Sequence, residues 1–325
     1  MSNSPLMAKR SVGERFRHAL VHAWRNRTLL LMFLPILIFY LLFSYAPMFN
    51  PRTGGILMAF KKSRLNQPFS SWDWVGLQYF RMLFSKPDFW VAMKNTLLLS
   101  FLRLLVEFPV PIILALLLNE VRVSKAKRVF QTVYTFPHFL SWVLVVGIMK
   151  DLLQMDGILN GIKVMLGGEA FNFLANGSRA SNYAMLIISS MLKGMGWSAI
   201  IYLSTIAGID PTLYEAAAID GATRFQRMQY ITWPSIKPTV IILLILAVGG
   251  ILDGSFDQIF NLVNGINRNV IETIDVYIYR YAFQQSINQS FSAASGLFKS
   301  VVSFAMLITA NIITRRLSDD GEAAF

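Results

Sequence analysis

Cysteine is absent from all 325 residues, which excludes disulfides and thiolate metal sites and is compatible with either face of a membrane. Charge is scarce too. Only 15% of the residues are charged while 54% are hydrophobic, a mixture too apolar for an ordinary soluble domain of this length. There are three histidines, of which only His138 falls within a long apolar run, and no serine stands in a GxSxG setting. Nucleophile-and-base chemistry therefore has no pair to build on, and His138 is given a packing or hydrogen-bonding role. The GxxxxGK[ST] phosphate loop is missing as well, so ATP is not bound in the usual way. No catalytic residue, metal site or cofactor is assigned. With no internal repeat and no low-complexity linker, the chain reads as one polytopic domain.

What is present is a series of long apolar runs, each near or above the roughly 20 residues needed to cross a bilayer. They lie at about Thr28–Met48, Asn95–Asn119, Val129–Met149, Tyr183–Ile206, Pro238–Val263 and Ala293–Ile313. The fold class is all-α, a membrane protein with about six transmembrane helices. Basic residues orient it: Lys9, Arg10, Arg15, Arg17, Arg25 and Arg27 precede the first span, and Arg122, Lys125, Lys127 and Arg128 join the second to the third. Both groups belong in the cytoplasm by the positive-inside rule, which puts both termini, including Arg315-Arg316, on that side. The long first connection, with Arg52, Lys61, Lys62, Arg64, Arg81, Lys86 and Lys94, is then outside, where long loops obey the rule poorly. The resulting layout is a cytoplasmic tail at 1–27, a six-span domain at 28–316 and a cytoplasmic tail at 317–325. The net charge of +12 is spread along membrane-flanking segments. That pattern fits anionic lipid headgroups and not nucleic acid. A cleavable signal peptide does not fit either, because the first run exceeds the usual h-region and Ser44-Tyr45-Ala46-Pro47 is a poor cleavage site.

The loop at 209–234, between the fourth and fifth spans, carries the most local information. Asp210-Pro211 is a helix start, with the carboxylate free to accept an orphan N–H and proline harmless at the first helical position. Ala216, Ala217 and Ala218 favour helix and leave a smooth surface. Gly221 suits a left-handed helix end. Thr223 with Gln226 forms a capping box for a second short helix, which Trp233-Pro234 is expected to end. The loop is thus predicted as helix, sharp bend, helix, protruding from the membrane.

Polar residues inside spans are candidates for a substrate pathway. Asp253, Asp257 and Asn261 recur every four residues, predicting one face of the fifth span with Gln258 beside it. Lys193 and Trp197 share a face of the fourth, and Lys299 lies in the sixth. Such aspartates and lysines serve equally as structural pairs. Arg103 and Glu107, four apart in the second span, are expected to neutralise each other and are set aside as substrate ligands. Pro109 and Pro111, and Gly249-Gly250 with Gly254, should kink or loosen their helices.

Glu215-Ala216-Ala217, Asp220-Gly221-Ala222, Ile231 and Pro234 together resemble the coupling loop of ABC importer permeases. That pattern asks for Glu-Ala-Ala, glycine four residues on, nine more residues, then Ile-x-Leu-Pro, and only Trp233 departs from it, standing where leucine is usual. Trp74-Val75-Gly76-Leu77-Gln78-Tyr79-Phe80 with Leu83-Phe84, and Asn95-Thr96-Leu97, are similar to carbohydrate-importer permeases. Phe136-Pro137-His138-Phe139-Leu140-Ser141-Trp142 resembles the branch that imports oligosaccharides and polysaccharide fragments. The resemblance implies a type I importer fold in a bacterial or archaeal cytoplasmic membrane. It also implies an ATPase dimer that receives Glu215, Ala216, Ala217, Asp220, Gly221 and Pro234, a second homologous permease and an external solute-binding protein. Sugar import is the expected function. Amino-acid or osmolyte import, an ATP-independent carrier or channel, and a membrane enzyme are the other readings.

Overall fold

The computed structural model describes residues 27–50, 54–64, 66–121, 123–174, 177–250, 252–253, 255–285 and 288–317. The N-terminal basic residues before Arg27, together with Arg52, Arg122, Gly254 and the tail beyond Leu317, lie outside them. The chain divides into two compact units, Met1–Gly76 and Leu77–Phe325.

In the first unit, Leu30–Phe49 is helical and long and apolar enough to cross a membrane. None of its side chains is buried, so it is apolar on every face, as a lipid-facing helix is. A loop folds back beyond it. A β-bridge joins Lys61 to Trp74, whose ring stacks on Phe60 at 5.8 Å, and Arg64 pairs with Asp73. Gly55, at φ +41, lies so close to the end of the span that a Cβ there would come within 2.0 Å of the Met48 carbonyl oxygen.

The second unit contains the remaining spans. Pro87–Asn119, Arg179–Ala207, Arg224–Gly249 and Gln289–Thr309 each have the length and hydropathy to cross a bilayer. The third crossing is not one helix. Ser124–Phe139 and Trp142–Met165 meet at a 100° bend, where the sequence predicts an unbroken span over Val129–Met149. Proline at 137 leads the first piece into a 3-10 turn, and Ser141, extended at ψ 152, caps the second by accepting from Leu144 N–H at 3.3 Å.

The fifth span also differs from expectation, ending at Gly249 and not near Val263. Gly249-Gly250 lower helix propensity, Asp253 N–H turns back to the Gly250 carbonyl at 2.8 Å, and Ser255 sits at φ +47. A separate short helix, Phe256–Leu262, follows. Asp253 is therefore not on a helical face shared with Asp257 and Asn261, because it lies outside the helix that holds them.

The Arg179–Ala207 helix is the axis of this unit, touching the second, third and fifth spans. Two apolar clusters form along it. One gathers Leu99, Val146, Leu186, Ile187, Ile259 and Ile271, the other Ile112, Ala115, Ala199, Tyr202, Ile206 and Ile236. Two buried polar side chains of the second span are tied to backbone, as a water-poor interior favours. Asn95 donates to the Asn269 and Glu272 carbonyls at 3.1 and 3.2 Å, and Thr96 accepts from Ile274 N–H at 2.8 Å. The Asn95-Thr96 pair thus pins the segment beyond the fifth span to the second.

Candidate functional site

The loop between the fourth and fifth spans forms as its residues dictate. Asp210 Oδ1 accepts from Thr212 N–H at 2.9 Å, opening the helix Pro211–Ile219. That bond holds the Asp210 carboxyl below its usual range, so the cap is intact above the ordinary aspartate pKa near ~4 and is lost as pH falls through the lowered value. At the far end Ala222 N–H reaches the Ala217 carbonyl at 2.9 Å and Gly221 N–H the Ala218 carbonyl at 3.2 Å, with Gly221 at φ +78. This double closure is a Schellman motif, which needs a left-handed residue at its turn. Thr223 and Gln226 complete the capping box, Thr223 N–H donating to Gln226 Oε1 at 2.7 Å.

One element of the loop departs from the sequence reading. Trp233-Pro234 does not end the second helix, which runs from Arg224 to Gly249 and is continuous with the fifth span. Proline lacks an N–H and clashes with the carbonyl one α-turn back, and a π turn at Met228–Thr232 relieves this by widening the helix before it. Tyr214 and Thr232 share a hydroxyl hydrogen bond of 2.9 Å, tying the first loop helix to this junction. Glu215, Ala216, Asp220, Gly221 and Pro234 are exposed and Ala217 half-buried. Beside them Leu213, Ile219, Phe225 and Tyr230 are also exposed, and Ile219 is 87% accessible. An apolar tip carrying the carboxylates of Glu215 and Asp220 is a surface that a partner protein can bury.

The residues predicted as a substrate pathway do not form one cluster. Lys193 Nζ donates to the His138 carbonyl oxygen at 2.6 Å, and Trp197 stacks on the His138 ring at 4.6 Å with 2° between planes. Both therefore brace the bend in the third span, where an ammonium satisfies a carbonyl at a helix end. Gly196, between them, passes so near the third span that a Cβ would lie 2.2 Å from the Tyr134 carbonyl oxygen. Asp257 is exposed, and Asn261 Nδ2 donates to its carbonyl at 2.7 Å. Gln258 is buried, donating to the Leu186 carbonyl at 2.8 Å and to Ser189 Oγ at 2.7 Å.

Asp253 meets Lys299 at 2.8 Å, and Asp275 meets the same ammonium at 2.6 Å. This triad links the end of the fifth span, the segment beyond it and the sixth span. Asp275 carried no sequence signal, since its partner is remote in the chain. Replacing Lys299 by methionine leaves two carboxylates facing each other, and the detergent-extracted protein is expected to lose ~1–3 kcal/mol of stability. Lys299→Met with Asp275→Leu should recover part of that loss, read as a melting temperature between wild type and the single variant.

A cavity of about 390 Å³ opens between the second, fourth and fifth spans. Asp253 is the one pathway candidate on its wall; Arg103, Glu107, Ser198, Tyr202 and Ser255 line it with apolar neighbours. A second cavity of about 360 Å³ lies beside the loop, lined by Glu120, Tyr214, Arg224 and Arg227 among others.

Residues 107–319, which include the loop, match the family described as binding-protein-dependent transport system inner membrane component. The chain belongs to that family. The permease is 40% identical over 309 residues, 95% of its length and 94% of the other, to the polygalacturonan/rhamnogalacturonan transport system permease protein YteP of Bacillus subtilis (strain 168). Its fold matches a bacterial ABC transporter involved in import of the acidic polysaccharide alginate with TM-score 0.80 and 35% identity, over 93% of this chain and all of that one (100%). A bacterial alginate ABC transporter in complex with alginate pentasaccharide-bound periplasmic protein matches with TM-score 0.79 and 35% identity, over 92% of this permease and 97% of the other chain. The permease is accordingly a multi-pass inner-membrane component of a binding-protein-dependent ABC transporter, with ATP hydrolysis left to a partner ATPase subunit.

Proposed function

We propose that this permease is the channel-forming subunit of an ATP-driven importer of oligosaccharides or polysaccharide fragments, with uronate-bearing chains its natural cargo. The observation that carries the reading is the full-length likeness to permeases whose cargo is polygalacturonan or alginate. The loop geometry supports the energy-coupling half of it: a capped, exposed helix rigidly continued into a span suits docking to an ATPase. Glu215, Ala216, Ala217, Asp220, Gly221 and Pro234 make that contact, and the ATPase is a dimer. A second, related permease completes the pathway, and an external binding protein delivers the sugar. Closure of the ATPase dimer displaces the loop and turns the spans from inward-open to outward-open. Both termini are cytoplasmic, residues 1–27 and 317–325 being tails of the six-span domain.

The test is recovery of the permease from its native membrane in mild detergent, followed by mass spectrometry. An ATPase subunit and a second permease should co-purify, and the assembled complex with its binding protein should drive ATP-dependent uptake of oligogalacturonate in proteoliposomes. Recovery as a lone chain or homo-oligomer, under conditions that hold known transporters together, would overturn the importer assignment.

A further inference from the structure

We infer that Arg103 is the residue by which the membrane cavity recognises a carboxylate on the passing sugar, with Glu107 accepting its neighbouring hydroxyls; this rests on the acidic-oligosaccharide reading above. Arg103 lies in the second span on the wall of the 390 Å³ cavity, its side chain only 11% exposed. A guanidinium in that setting is expected to be neutralised by a close carboxylate, and the i, i+4 spacing nominates Glu107. The pair is loose. Glu107 Oε1 stands 3.4 Å from Arg103 Nε, without hydrogen-bond geometry, and instead accepts from Ser190 Oγ.

What holds the two terminal nitrogens of Arg103 is neutral. Nη1 donates to Ser255 Oγ at 2.6 Å and Nη2 to Gln258 Oε1. Gln258 is itself fixed by its two bonds to the fourth span. Of the five N–H groups of a guanidinium, those two are used, and the Nε–H is buried without a hydrogen-bond acceptor. Neutral acceptors orient the terminal nitrogens of the fork, while the Glu107 ion pair, 3.4 Å away, stays on its Nε side. The other carboxylate on the wall, Asp253, is engaged by Lys299. The planar fork is matched in shape to a uronate carboxylate. The cavity volume suits a sugar unit or two, and Tyr202 and Phe108 on its wall give the ring an apolar neighbour.

The assay uses the whole complex in nanodiscs without its binding protein, and measures affinity for oligogalacturonate and for its fully methyl-esterified counterpart of equal length. Wild type should prefer the charged form about tenfold or more, Arg103→Gln should erase the preference, and Arg103→Lys should keep a part of it. Equal weakening for both ligands in Arg103→Gln, a preference that survives it, or a wild type that does not discriminate would each overturn the assignment. Uptake of oligogalacturonate by the wild-type complex with its binding protein is measured in parallel. Uptake without discrimination sinks Arg103 alone, whereas no uptake sinks the substrate reading with it.

Discussion

Valine at Gly221 is expected to lower ATP-driven uptake by about five- to thirtyfold while the complex still assembles. The figure follows from the backbone: a β-branched residue held at φ +78 costs ~1–2 kcal/mol or more, and each such increment shifts a two-state population by that factor. Contacts with more distant residues do not contribute, since a Cβ at Gly221 would meet none of them within 4 Å. Substitutions should therefore rank by tolerance of the left-handed conformation and not by size, asparagine keeping most transport, alanine less, valine little and proline none. Uptake and ATP hydrolysis measured on the same proteoliposomes separate this from misfolding, because hydrolysis should persist as uptake falls. Full transport by Gly221→Pro would remove the loop from energy coupling.

Gly196→Val is expected to act earlier, on folding itself. Its Cβ would come within 2.2 Å of the Tyr134 carbonyl oxygen and 2.8 Å of the Thr135 nitrogen, both backbone atoms that cannot rotate aside. The fourth helix must then separate from the first half of the third span, and overpacking of this kind costs ~1–3 kcal/mol or more. It also withdraws Lys193 from the carbonyl it serves. Recovery of assembled complex from the membrane should fall about tenfold, following ~1.4 kcal/mol per decade. Gly194→Val, on the same helix with nothing within 4 Å of its Cβ, is the control and should assemble normally. Equal recovery of the two variants would refute the close-packing account.

Why some of this was legible in the sequence follows from the range of the interactions. Asp210, Gly221 and the Thr223–Gln226 box act within one helical turn, so these caps follow from residue types alone, whereas the passage of the helix through Trp233-Pro234 does not. The bend after Phe139 does not either. Pro137 marks a disturbance, but the 100° angle is held by Lys193 and Trp197, more than fifty residues on. The apolar run predicts too long a fifth span because Ile251, Leu252 and the residues after Ser255 continue it, while the helix stops at Gly249 and Ser255 takes a left-handed conformation. Arg103 shows the same limit: the four-residue rule names Glu107, which does pair with it, but the neutral acceptors of its terminal nitrogens, Ser255 and Gln258, stand 152 and 155 residues on in the chain.

The π turn at Met228–Thr232 has a consequence of its own for the fifth span. An α-helix advances about 100° of azimuth per residue, and a single π turn absorbs one residue beyond the α count. The faces that Trp233–Gly249 shows its neighbours are therefore rotated by about 100° from where an uninterrupted α-helix begun at Thr223 would aim them. Deleting one residue from the turn would swing Ile236 and Ile245 out of contact without altering a single side chain in the membrane. The rotational phase between loop and span is thus clocked by how many residues separate Thr223 from Trp233, and only secondarily by which residues they are.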